Sequence, residues 1–151
     1  MKRSLAGILL GSLSALGALG ALTACAAPAG DGLDAAGSPV ARYDWDPGSG
    51  GDAALMEGTL ALRDGCLYIV GEGDADGLTV VPVLSRELAA WDATAEVLTY
   101  AGRDYAMGDT VFAGGGWGAP TPDMTIPDAC VPDEWGEVMH VQDVDLEPYA
   151  G

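Results

Sequence analysis

The sequence predicts an all-β chain of five to six short strands, and three observations carry that prediction. Segments rich in Val, Leu, Ile, Tyr and Thr recur at residues 59–62, 66–70, 78–84, 97–100, 110–113 and 137–141. Turn signals built from Gly, Asp and Pro separate them at intervals of roughly 8–12 residues. One of these, Asp64-Gly65, stands between two β-rich segments as a two-residue hairpin signal. Together they indicate a sandwich or a small barrel rather than a helical fold.

The elements follow in order from residue 56. Thr59 to Leu62 alternate into a short strand, and Asp64-Gly65 turns the chain into Cys66-Leu67-Tyr68-Ile69-Val70. The next strand contains Pro82, which has no N–H to donate to a ladder, so it lies at an edge or is broken by a bulge. "SRELAAWDATAE" is compatible with one helical turn. Residues 97–100 and 105–107 flank the turn "AGRD", and Gly108-Asp109 leads into 110–113. A long Gly/Pro-rich loop, 114–136, precedes a last strand over 137–141. The domain therefore covers 56–142, followed by an acidic tail, 143–151.

Residues 26–54 are dominated by Ala, Gly, Pro, Ser and Asp without an apolar period and are expected to be a disordered tether. Such a chain has a root-mean-square reach of about 30 Å; Tyr43 and Trp45 in "RYDWDPG" interrupt it and could dock onto the domain. Before it, Lys2 and Arg3 provide a positive n-region, and residues 4–30 carry no charge. This is the build of a secretory signal. The apolar run 5–22 is marginal in length for a bilayer span and is diluted by Gly7, Gly11, Gly17, Gly20, Ser12 and Ser14.

The run ends in Leu22-Thr23-Ala24-Cys25, which resembles the lipobox of bacterial lipoproteins. The resemblance implies that 1–24 is a signal peptide, removed in the mature protein. It also implies that Cys25 is lipidated, palmitate being one expected acyl group, and that 25–55 links the anchor to the domain. The competing readings are a transmembrane anchor or an ordinary signal with an incidental cysteine. Two acyl chains hold a protein firmly where one does not, so the expected location is the cell membrane, on its extracytoplasmic face. With Cys25 so assigned, Cys66 and Cys130 remain as a pair in an oxidising compartment, expected as a disulfide, with two free buried thiols as the alternative.

The formal net charge of the whole chain is −17, and beyond residue 24 only four arginines face 23 acidic residues. A field of that sign repels phosphate backbones, which argues against nucleic acid as a partner. The succession "GTLALRDGCLYIV", "YAMGDTVFAGGG" and "IPDAC" resembles a domain of secreted proteins and lipoproteins in high-GC Gram-positive bacteria. The resemblance spans roughly residues 58–142. It implies a compact barrel of the oligosaccharide/oligonucleotide-binding (OB-like) kind and supports the bridge, and it transfers no catalytic residue.

Sites for chemistry are sparse. Glu72, Asp74 and Asp76, with Gly77, match positions one, three, five and six of a calcium loop, but position twelve is Val83 where a bidentate Glu is needed. They are weak metal candidates beside a solvated hairpin loop. His140 is the only histidine, and Glu137-x-x-His140 puts the two on opposite faces of a strand. Ser85 lacks a Gly-x-Ser-x-Gly elbow. Trp91, Trp117 and Trp135 could stack on sugars or a partner surface, with core or loop packing as the alternative for each; Trp117, among glycines, is the best candidate for an exposed tryptophan that contacts a ligand. No cofactor is expected. An anchor, a tether and a compact domain without a nucleophile–base pair favour a non-catalytic binding or interaction module for an envelope protein or glycan. The alternative is an enzyme that acts on cell-wall carbohydrate through two of its many carboxylates.

Overall fold

The structure, a computed structural model, describes residues 37–71 and 77–148. Ten strands form among them: β1 (Ala41–Tyr43), β2 (Ala54–Arg63), β3 (Cys66–Gly71), β4 (Thr79–Val80), β5 (Pro82–Ser85), β6 (Ala89–Asp92), β7 (Val97–Tyr100), β8 (Arg103–Ala106), β9 (Thr110–Gly118) and β10 (Val138–Val141). The all-β class is as expected, but the described strands number ten rather than five to six: β1 and β6 form in segments expected as tether and helical turn, and the strand expected over 78–84 is two, β4 and β5. One sheet has the order β1-β5-β10-β9-β2-β3-β4, and a second has the order β6-β7-β8.

The hairpin joining β2 and β3 is local chemistry. Asp64 and Gly65 both have positive φ, 50° and 85°, as a tight turn matched to strand twist requires. Arg63 therefore lies opposite Cys66, and the ladder runs on to Gly58 opposite Gly71.

The large sheet ends at β1 and β4, so its hydrogen-bonded order is open and no closed barrel is formed. It is nevertheless strongly curled. β4 and β5 stand five places apart in the order but are joined by one residue, Val81. Five strand spacings in a flat sheet would span about 24 Å, whereas two consecutive Cα steps span at most about 7.6 Å. The sheet must bend until its β4 end lies beside β5. Pro82 sits at this junction, opposite Met139 of β10, while the Val81 carbonyl accepts from Met139 N at 3.0 Å. The single strand expected over 78–84 is thus interrupted at Val81, immediately before its proline; Pro82 is not at a sheet edge, because β5 lies between β1 and β10.

The bend encloses the main core. Leu60, Leu67, Ile69, Val80, Leu84, Val111, Met139 and Val141 of the large sheet meet Trp91, Leu98 and Tyr100 of the small one. A second cluster joins Ala41, Tyr43, Trp45, Val81, Val83 and Val138 to Cys66 and Cys130. These cysteines form a disulfide with Cα atoms 5.0 Å apart, as expected.

Four expectations need correction. The linker expected over 25–55 contributes a strand, since β1 pairs in parallel with β5 and bonds Thr125 on its other side, and Val40, Ala41, Tyr43 and Trp45 are buried. Three residues are too few to show an apolar period. The helical turn expected near 85–96 is replaced by β6 and a turn, in which buried Ala89 and Trp91 alternate with less buried neighbours. Burial against the main core there overrides the helix propensity of Leu-Ala-Ala. The loop expected from 114 begins as strand, with β9 running through the glycines to Gly118. A Cβ on Gly115 would collide with the His140 carbonyl, and on Gly114 or Gly116 with the carboxylates of Asp143 or Asp52, so these glycines permit close backbone approach. The acidic tail, finally, docks in part: Leu146 is buried, and its carbonyl accepts from Phe112 N at 3.0 Å.

The bridge closes a loop across 64 positions of sequence. Replacing both cysteines by serine is expected to lower unfolding free energy by about 4 kcal/mol, measured by urea titration with wild type as reference.

Candidate functional site

A cleft of about 490 Å³ opens where the β2–β3 hairpin faces the segment before β10; it is lined by Arg63, Val70, Gly77, Leu78, Thr79, Asp133, Glu134 and Trp135. One wall is sheet: Arg63 ends β2, Val70 lies on β3, and Leu78 precedes β4. The other is a turn organised by Asp133. Its Oδ1 accepts from Trp135 N at 3.0 Å and from Glu137 N at 2.7 Å. Its carbonyl accepts from Gly136 N at 2.9 Å, and its own N–H donates to the Glu137 carbonyl. The bonds of this aspartate fix the backbone that carries Trp135.

The turn is also tied to the sheet. Cys130 is bridged to Cys66 at the start of β3, and Val131 N donates to the Tyr68 hydroxyl at 3.2 Å. Trp135 is nonetheless 69 % exposed, and Leu78 across the cleft is 42 % exposed. An indole presented to water on an anchored turn is unusual, because tryptophan is mostly buried in folded chains. The cleft sets one aromatic and two aliphatic side chains among Arg63, Thr79, Asp133 and Glu134, a more polar lining than most small-ligand clefts have.

The sequence-derived candidates fall elsewhere. Trp117, expected to be the exposed tryptophan, is half-buried against the main core, since β9 continues through it and pairs it with Met139. Ser85 is fully buried with its hydroxyl 3.5 Å from the Trp45 carbonyl. His140 lies on β10, partly buried, its ring 5.9 Å from that of Tyr43. Cys25 and the weak metal candidates Glu72, Asp74 and Asp76 lie outside the described residues. Among the described residues, no group of three His, Cys, Asp or Glu side chains converges as a metal site. Of the three tryptophans able to stack on a partner, the exposed one is Trp135 rather than Trp117, and "PDEWG" carries a signal for it: Asp two residues before and Gly one after the tryptophan mark a tight turn.

A second cleft, of about 420 Å³, is lined by Asp44, Trp45, Asp46 and Glu87. Its groups serve the fold: Arg86 pairs with Asp44 at 2.9 Å, the Trp45 indole donates to the Gly50 carbonyl at 3.3 Å, and Asp46 caps the short 3-10 turn Pro47–Ser49.

Displaced ionisations have structural causes. Backbone N–H groups of Ala95 and Thr94 hold Asp92 below the usual carboxylate range. The Thr121 hydroxyl does so for Asp123, and the Arg103 guanidinium for Glu147. All three shifts have the same direction, and each group sits in its own turn or surface pair. Burial pushes the Tyr43 phenol up to about 12 and raises Tyr100 as well.

Comparison with protein-family models, curated proteins and solved structures finds no match to this chain.

Two outcomes are expected. Trp135→Ala should change stability by less than about 0.5 kcal/mol, as exposed positions do, whereas Trp117→Ala should cost about 2 kcal/mol through lost packing; urea titration of both variants distinguishes them. For Tyr43 the folded pKa lies above its unfolded value of 10.0. Its contribution is therefore complete below pH 10 and disappears as pH rises through about 12. Melting temperature should fall across that window, and less steeply in Tyr43→Phe, whose lost hydrogen bond to the Val141 carbonyl lowers stability by about 1 kcal/mol at neutral pH.

Proposed function

We propose that this chain is a lipid-anchored protein of the bacterial cell envelope, attached through Cys25, and that its β domain is a non-catalytic binding module for an envelope protein or glycan. The observation that carries the reading is Trp135, held 69 % exposed at the cleft by the bonds of Asp133 and by the Cys66–Cys130 bridge. Ordering a turn around an exposed indole makes physical sense where the indole meets a partner, because a pre-organised contact loses less entropy on binding.

The resemblance of Leu22-Thr23-Ala24-Cys25 to a lipobox supports the anchor. The curled sheet is read as an opened variant of the OB-like barrel implied by the resemblance to lipoprotein domains of high-GC Gram-positive bacteria. Acid–base catalysis by two carboxyl groups works best when their environments push the pKa values apart. The displaced carboxyl groups, Asp92, Asp123 and Glu147, are each held down by their own neighbours and none lines the cleft, so they do not form such a pair there.

Two measurements test the parts of the reading separately. Wild-type protein expressed in a Gram-positive host should incorporate a palmitate analogue and sediment with membranes, and Cys25→Ala should do neither; a labelled Cys25→Ala protein overturns the anchor. Immobilised wild-type protein should retain a component of detergent-solubilised envelope that Trp135→Ala fails to retain. Equal retention by both overturns the role of the cleft.

A further inference from the structure

We infer that the Trp135 cleft binds a neutral, polyhydroxylated glycan; this rests on the binding-module reading above and specifies its ligand. Among the described residues the Arg63 guanidinium has no ion pair or hydrogen bond, so its donors are available to a ligand in the cleft. Asp133 and Glu134 on the facing turn, within a chain of net charge −17, oppose an anion. A neutral ligand avoids that repulsion and can use the Arg63 donors and the carboxylate acceptors alike.

The polar groups left unused are those a hydroxyl-rich ligand needs. The guanidinium of Arg63 offers donors in a fixed fork. Glu134 offers acceptors, and Asp133 keeps Oδ2 because its backbone bonds use Oδ1. The Thr79 hydroxyl donates to the Gly77 carbonyl at 3.2 Å and keeps its lone pairs. Each sugar hydroxyl both donates and accepts, so groups of both kinds around one cleft suit it. Between them lie the apolar surfaces of Trp135 and Leu78, matching the C–H face of a pyranose ring. The volume of about 490 Å³ lies within the range of small-ligand sites, ~300–1,000 Å³.

An extended peptide fits less well. It would bind by adding a strand to an exposed sheet edge, and the edge at this cleft is β4, which is two residues long. A ladder there would gain few backbone bonds.

The test is isothermal titration calorimetry of the full lipidated chain in a sugar-free zwitterionic detergent. The probes are soluble β-glucan, galactomannan, arabinogalactan and N-acetylglucosamine oligomers, with dextran sulfate, a basic peptide and a proline-rich peptide as contrasts. At least one neutral saccharide should bind, with a Kd changed less than twofold between 0.05 and 0.5 M NaCl. Trp135→Ala should weaken that binding at least tenfold and Arg63→Gln about fivefold, with unchanged circular dichroism in both. Binding of none of the neutral saccharides overturns the inference, as does binding confined to a charged or peptide probe, or affinity retained in Trp135→Ala. If the envelope component of the preceding section depends on Trp135 while no saccharide binds, the glycan inference fails and the binding module stands. If neither depends on Trp135, both fail.

Discussion

One residue, Val81, constrains the whole sheet. It takes the chain from β4, at one end of the seven-strand order, to β5, next to the other end. A flat sheet cannot accommodate so short a connection, so the sheet curls and acquires an inside. The main core occupies that inside, and the three short strands β6–β8 close over it with Trp91, Leu98 and Tyr100. Pro82 is well suited to follow the junction, because a residue without an N–H loses nothing where a ladder is interrupted. The same bend places β5 between β1 and β10 and so recruits the N-terminal segment into the fold.

The second constraint is covalent. Residues between β9 and β10 contribute one isolated bridge, Arg42 to Thr125, and otherwise little regular backbone pairing. The Cys66–Cys130 bond ties this long segment to the start of β3, with the cysteines buried in a small apolar cluster of their own. Cleft and bridge are therefore linked: the wall that bears Trp135 is ordered by the bridge on one side and by β10 on the other. Local bonds of Asp133 then set the final conformation of the turn. An exposed aromatic on so well supported a stretch is the feature that distinguishes this surface from the solvated acidic remainder.

Glycine has two distinct jobs in this chain, and only one is legible in the sequence. Asp64-Gly65 announces a hairpin by composition alone. In "GGGWG" the glycines look like loop, yet they are strand, because β10 and the carboxylates of Asp52 and Asp143 approach where side chains would otherwise stand. That continuation of β9 also turns Trp117 toward the core and leaves Trp135 as the exposed indole. Packing alone thus decides which of the two tryptophans meets solvent.

By itself the sequence determined the β class, the β2–β3 hairpin, the break beside Pro82 and the pairing of Cys66 with Cys130 once Cys25 is set aside. These follow from local turn chemistry, from a missing backbone donor and from the small number of cysteines. Only the tertiary structure decided that Ala41–Tyr43 is a buried strand, that "ELAAWD" is extended, that Leu146 docks and that the sheet curls without closing. It also decided the cleft, whose members are as far apart as Arg63 and Trp135 in sequence. Each of these depends on contacts between distant segments, and short elements such as β1 and β6 are held by the surfaces they bury rather than by their own propensity.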